Sequence, residues 1–126
     1  MDKQAVEWLK QADYDMETAQ YMARGGRYFY AVFMCHLAIE KAIKGLYQQN
    51  LQETPPKTHN LIWLLERIGL VPDQDKGRAI TRLNEVSVAT RYPGDIDSLQ
   101  RTYTQEVTAQ ILSQAQRILE WIKTQF

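Results

Sequence analysis

The chain is poor in the residues from which metal and thiol chemistry are built, with one cysteine and two histidines in 126 residues. A lone Cys35 cannot close an internal disulfide, and its neighbours Phe33, Met34 and Leu37 mark it as an inert core thiol rather than a reactive one. His36 and His59 with Cys35 are too few for a closed zinc set, and neither histidine follows a glutamate at the Glu-x-x-His spacing of di-metal carboxylate bundles. Glycine is scarce as well. Gly25, Gly26 and Gly94 are turn glycines, not a phosphate-cradling loop. Neither a metal nor a cofactor is expected.

An excess of either charge is also missing. Lys plus Arg and Asp plus Glu number 15 each, so the field of the whole molecule favours no nucleic-acid, membrane or acidic partner and leaves only local patches. No run approaches 18 apolar residues, which excludes a membrane-spanning helix. The charged, amphipathic start MDKQAVEWLKQAD is unlike a secretory signal, so a cytoplasmic chain is expected. Alternation of apolar and polar residues between turn signals is absent too, and no strand is predicted.

What the chain does have is helical periodicity. Asp2 can cap a first helix to about Ala23, with Ala5, Trp8, Leu9, Ala12, Met16 and Ala19 on one face and Gly25-Gly26 at its end. A second helix from Tyr28 to about Leu46 is apolar around most of its circumference, so it must be covered on several sides. The short link between the two makes them an antiparallel hairpin. After the loop QQNLQETPPK, Thr58 or Asn60 caps a short helix with Leu61, Leu64, Leu65 and Ile68 inward and Gly69 at its stop. A fourth helix opens at Asp75 and runs to about Thr90, with Ile80, Leu83 and Val86 inward and Lys76, Arg78, Arg82 and Asn84 largely outward.

Pro93 and Gly94 should end that helix, and RYPGDIDSLQRTY reads as an ordered loop without helical period. Thr104 caps a last helix whose inner face is Val107, Ile111, Ala115, Ile118 and Ile122. The expected fold is all-α: residues 1–126 form a single domain, an up-and-down antiparallel helical bundle of four long helices plus one short helix.

Two places carry candidate chemistry. His36, Glu40 and Lys44 are spaced i, i+4, i+8 along the second helix, with Lys41 beside them. Such a strip is either a self-satisfied network that fixes helix register or a site, with Lys41 and Lys44 on phosphate and His36 or Glu40 as acid or base. Between Lys76 and Tyr92, four basic residues, Lys76, Arg78, Arg82 and Arg91, face one acid, Glu85. The Arg91-Tyr92 corner could hold a phosphate while Tyr92 stacks on a base, although basic residues on an exposed face or near a helix C-terminus need no ligand to explain them. His59 reads as a capping or core residue.

Three ordered blocks, WLKQADYDMETAQYMARGGRYFYAVFMCHLAIEKAIKGLY, PPKTHNLIWLL and ATRYPG, with the pattern HxAxEKAxK from His36 to Lys44, resemble the HEPN family of nucleotide-binding helical domains. The resemblance implies an antiparallel helical bundle, commonly a homodimer, with its functional groove near the dimer interface. Many stand-alone members are encoded with a minimal nucleotidyltransferase and act as toxin-antitoxin pairs. This chain lacks the Gly-Ser turn and clustered carboxylates of such a transferase, so it would be the partner. His36, Glu40, Lys41, Lys44, Arg91 and Tyr92 would then bind a nucleotide, an RNA or that partner.

Ribonuclease members of the family carry an Arg, four to six further residues, and a His. Here the positions after Arg91 hold Ile96, Asp97 and Ser98, and His36 lies nine residues after Arg27. The departure points to a non-catalytic binding module. The alternatives are a metal-independent ribonuclease in which His36 replaces the missing histidine, and a purely structural dimerisation module.

Overall fold

A computed structural model of the chain describes residues 1–92 and 94–126. Among the described residues run six helices and no strand: α1 (Lys3–Arg24), α2 (Tyr28–Leu51), α3 (Leu61–Ile68), α4 (Gln74–Arg91), α5 (Ile96–Thr102) and α6 (Gln105–Lys123). The all-α antiparallel bundle is as expected, with one more short helix than the periodicity predicts. No described helix is long and apolar enough to cross a membrane.

Side-chain oxygens set most of the helix starts by accepting the first free N–H groups. Asp2 takes those of Gln4 and Ala5 at 2.7 and 3.1 Å, and Asn60 those of Ile62 and Trp63, both at 3.1 Å. Thr104 takes that of Val107 at 3.3 Å. Asp73, not Asp75, caps α4 by accepting from Lys76 at 2.9 Å, so the helix begins one residue before the expected start. Helix α2 has no side-chain cap; it continues from a tight turn in which the Arg27 N–H reaches back to the Met22 carbonyl at 2.8 Å. That reversal needs a left-handed residue, supplied by Gly26 at φ 75°, and Gly69 at φ 72° ends α3 in the same way.

Two expectations are corrected. The segment after Tyr92 is not all loop. Asp95 accepts from the Ser98 N–H at 2.7 Å and starts α5, whose seven residues bury only Leu99 and are too few to show a period. Helix α2 runs on to Leu51, five residues beyond its apolar portion, and stops at Gln52 in the left-handed region at φ 53°. Pro93, expected to end α4 with Gly94, lies outside the described residues; the helix ends at Arg91 with Tyr92 as its C-cap.

Helix α2 is the centre of the bundle, in contact with each of the other five. Its residues from Ala42 to Tyr47 are buried without interruption, as a helix covered on all sides must be. Helix α6 covers it with Ile111, Ile118, Leu119 and Ile122, and α4 with Ile80, Leu83 and Val86; these side chains share one core. Helix α1 approaches through small residues: Ala5, Ala12 and Ala19 are fully buried against it. At Gly45 a methyl group would stand 3.1 Å from Trp8 Cβ, 3.3 Å from the Ala5 carbonyl and 3.4 Å from the Phe126 ring. No side chain fits there without moving α1.

Gly45→Leu should therefore lower stability by roughly 1–3 kcal/mol or more through overpacking. A chemical-denaturation midpoint unchanged from the wild type would show that α1 yields freely and that the close approach is not a constraint.

Candidate functional site

The spacing of His36, Glu40 and Lys44 puts them on one strip of α2, and all three are buried, at 0, 4 and 6 % relative exposure. A carboxylate taken from water needs partners on its oxygens. Glu40 Oε2 accepts from Lys44 Nζ at 3.0 Å, one turn along the same helix. Lys44 is further held against the Trp8 ring, 5.9 Å from its centroid. Oε1 lies 2.8 Å from His59 Nδ1, which arrives from the segment ahead of α3.

That segment is pinned at several points. The His59 carbonyl lies 3.0 Å from His36 Nε2, which donates to it. Asn60 caps α3, and Asn84 of α4 accepts from the Leu61 N–H at 2.9 Å while donating to Asn60 Oδ1 at 3.1 Å. Asn84, expected to face largely outward, instead ties α4 to the start of α3. His59 is neither the cap nor a core residue: its side chain is 51 % exposed. The proton on Nδ1 is directed at the carboxylate, which leaves Nε2 as the free ring nitrogen.

Because His36 donates through Nε2, its Nδ1 is unprotonated; it stands 3.9 Å from Glu40 Oε1 and makes no hydrogen bond. Burial holds this imidazole neutral. It lowers the pKa from 6.5 to about 4, against the upward pull of Glu40 and of the bond to the His59 carbonyl. His36 and Glu40 are thus not an ion pair. Cys35, also fully buried, has its thiol pushed up to about 12 by the same desolvation and is inert.

Arg91 closes the outer side of the cluster. Its Nε donates to Ser87 Oγ at 3.1 Å, its guanidinium lies over the Phe33 ring at 4.8 Å, and its Nη2 comes within 3.5 Å of His59 Nδ1. Since that nitrogen gives its proton to Glu40, the Nη2 hydrogens are unspent. Two other bases of α4 are paired: Lys76 with Asp73 at 2.7 Å, and Arg78 with Asp75 at 3.7 Å. No carboxylate pairs with Arg91 among the described residues.

The six residues singled out from the sequence therefore divide. His36, Glu40 and Lys44 come together, and Arg91 joins them through His59. Lys41 does not: one residue on from Glu40 it points toward α1, where it pairs with the buried Asp15 at 2.8 Å. Tyr92 lies outside the cluster, 80 % exposed. Among the described residues no three His, Cys, Asp or Glu side chains gather into a metal site.

The model of the HEPN domain matches residues 5–125. The chain belongs to the HEPN family. An archaeal HEPN homologue of known structure is 31 % identical, with a TM-score of 0.78 over 98 % of each chain. The structure of TT1696 from Thermus thermophilus is 27 % identical, with a TM-score of 0.81 over 99 % of this chain and all of that one. No match was found among curated proteins. In this HEPN chain the histidine beside Arg91 comes from 32 residues upstream, not from the few positions that follow it.

Two outcomes follow from the burial of this cluster. His36 binds a proton in the unfolded chain near its ordinary 6.5 but in the fold only near 4, so the unfolded state holds more protons between those values. Stability is then complete above about pH 6.5 and falls as the pH drops toward 4, by roughly 3 kcal/mol in total. His36→Gln keeps a donor for the His59 carbonyl and should flatten that part of the stability-pH curve; an unchanged slope would clear His36 of the effect. Glu40→Ala leaves Lys44 buried without its partner and should cost about 3–5 kcal/mol, read as a drop in the denaturation midpoint.

Proposed function

We propose that this HEPN chain is a non-catalytic module that binds the phosphate of a nucleotide at the corner made by Arg91 and His59. It acts as a homodimer in the cytoplasm, the partner of a minimal nucleotidyltransferase in a toxin-antitoxin-like pair, with residues 1–126 as its one domain. The observation that carries the binding is the state of the Arg91 guanidinium. Phe33 and Ser87 hold it in place, an imidazole with a free nitrogen stands beside it, and no carboxylate among the described residues neutralises it. A preorganised fork with unspent donors is what a phosphate oxygen pair takes. Glu40, Lys44 and His36 serve this corner from behind by fixing the His59 ring and backbone. Membership of the HEPN family and the absence from the sequence of a transferase's own Gly-Ser turn support the partner role.

One observation favours a second reading. Glu40 orients the half-exposed His59 imidazole through Nδ1, the nitrogen that Arg91 Nη2 approaches at 3.5 Å, and leaves Nε2 free, an arrangement suited to moving a proton during metal-independent RNA cleavage. His36 has no exposed atom with which to take that part.

Calorimetric titration of ATP, GTP and a short RNA separates the readings. Arg91→Ala should weaken binding tenfold or more, since a charge-assisted hydrogen bond contributes about 1.5–3 kcal/mol. No binding by the wild type, or equal binding by the variant, would leave only a structural dimerisation module. Incubation of labelled RNA in EDTA with wild type and His59→Ala addresses cleavage: products that vanish in the variant alone would make the second reading the correct one.

A further inference from the structure

Helices α3 and α4 leave between them a cleft that no residue of the Arg91 corner borders. About 770 Å³ in volume, it is walled by Ile62, Leu65 and Glu66 of α3, by the Leu70–Pro72 link, and by Gly77, Ile80 and Thr81 of α4. Leu65 and Ile80 belong to the core, whereas Ile62 and Val71 leave apolar surface in water, Val71 at 84 % exposure. Small-molecule sites are clefts of this kind, apolar and roughly 300–1,000 Å³ in size. On the α4 side the wall is a single turn, Gly77 to Thr81, about 6 Å along the axis. A docked helix needs anchors from i to i+7, about 10 Å, so the space suits a small molecule instead.

Gly77 is the residue that the fold does not explain. It lies inside α4 with its N–H on the Asp73 carbonyl at 2.8 Å, and the glycines at positive φ are Gly26 and Gly69. Beyond the local helix backbone, a methyl group added at Gly77 would meet only Pro72 Cγ, at 3.9 Å, an ordinary contact. Alanine is the better helix former, so neither the conformation nor the packing of this chain calls for glycine there. What the missing side chain does provide is bare α4 backbone in the cleft wall, against which a flat group can lie.

The polar groups of the wall are not equally occupied. Arg78 pairs with Asp75 at 3.7 Å, and Thr81 donates its hydroxyl hydrogen to the Gly77 carbonyl at 2.9 Å. Glu66 is in no ion pair among the described residues. The unspent charge at this cleft is therefore negative.

We infer that the cleft is a binding site for a small organic cation with a flat apolar body. The body lies on the α4 backbone at Gly77, between Ile62 and Ile80, and the cationic head meets the Glu66 carboxylate. The site shares no residue with the Arg91 corner, so the two stand or fall separately.

Phenethylamine serves as the probe, with 2-phenylethanol and 3-phenylpropionate as its neutral and anionic counterparts, each titrated into the full chain and followed by amide NMR shifts. Phenethylamine should move the signals of Gly77 and Leu70 and bind about fivefold more tightly than either counterpart, a preference that Glu66→Gln should remove. Gly77→Ala should raise the melting temperature by about 3 °C and weaken phenethylamine about tenfold, because the added methyl group occupies the floor of the cleft. A Gly77→Ala chain less stable than the wild type would show that the fold itself needs the glycine and would overturn the site. Unaltered phenethylamine binding by that variant, equal affinity for the three probes, or no shift at Gly77 would each overturn it too. A change of mass by light scattering in Gly77→Ala would assign the cleft to a second copy of the chain, again against the inference.

Discussion

Much of the arrangement follows from one buried charge. Glu40 sits at 4 % exposure on a helix that every other helix touches, and an ionised carboxylate in such a place must have donors brought to it. Lys44 comes from the same helix at no cost in topology. The second donor, His59, has to be delivered by the chain ahead of α3, so the position of that segment is fixed by electrostatics as much as by packing. His36 then secures the carbonyl of the same residue. The desolvation that makes Glu40 expensive also holds His36 neutral, with its one ring proton on Nε2 for the His59 carbonyl and none on Nδ1 for the carboxylate beside it.

The Glu40 network and the surface corner are therefore one structure. An imidazole held by a buried acid on one nitrogen presents the other in a single orientation, and Arg91 is held by an aromatic face and a buried serine rather than by an opposing charge. Preorganisation of this kind reduces the ordering that a ligand would have to impose. It also shows why a network that satisfies itself and a site that binds are not competing descriptions here: the buried members satisfy one another, and the outer two retain unspent groups.

Much of this was legible in the sequence where the determinant is local. Caps at Asp2, Asn60 and Thr104, the stops at Gly26 and Gly69, and the all-round apolarity of α2 are decided within a turn or two of chain. The strip of His36, Glu40 and Lys44 was visible for the same reason, since helical spacing alone puts the three on one face. Lys41 belonged to a different face by the same geometry, and its partner Asp15 sits on α1, where no spacing in α2 can reveal it. Helix α5 was missed because seven residues with one buried side chain carry almost no periodic signal. His59 was misjudged because its part depends on where a non-periodic segment lands: two neighbouring helices decide that, 19 residues from Glu40 and 32 from Arg91. A search along the chain after Arg91 finds no histidine; the fold provides one from upstream.

The even count of 15 acidic and 15 basic residues has a kinetic consequence at Arg91. A positive group in a molecule with no net field attracts anions only over about a Debye length, roughly 8–10 Å in physiological salt. An incoming anion is therefore not steered from a distance, and most encounters begin by chance collision at ordinary rates near 10⁵–10⁷ M⁻¹s⁻¹. Discrimination at the proposed Arg91 corner would then be exercised after contact, through how long a ligand stays rather than how fast it arrives.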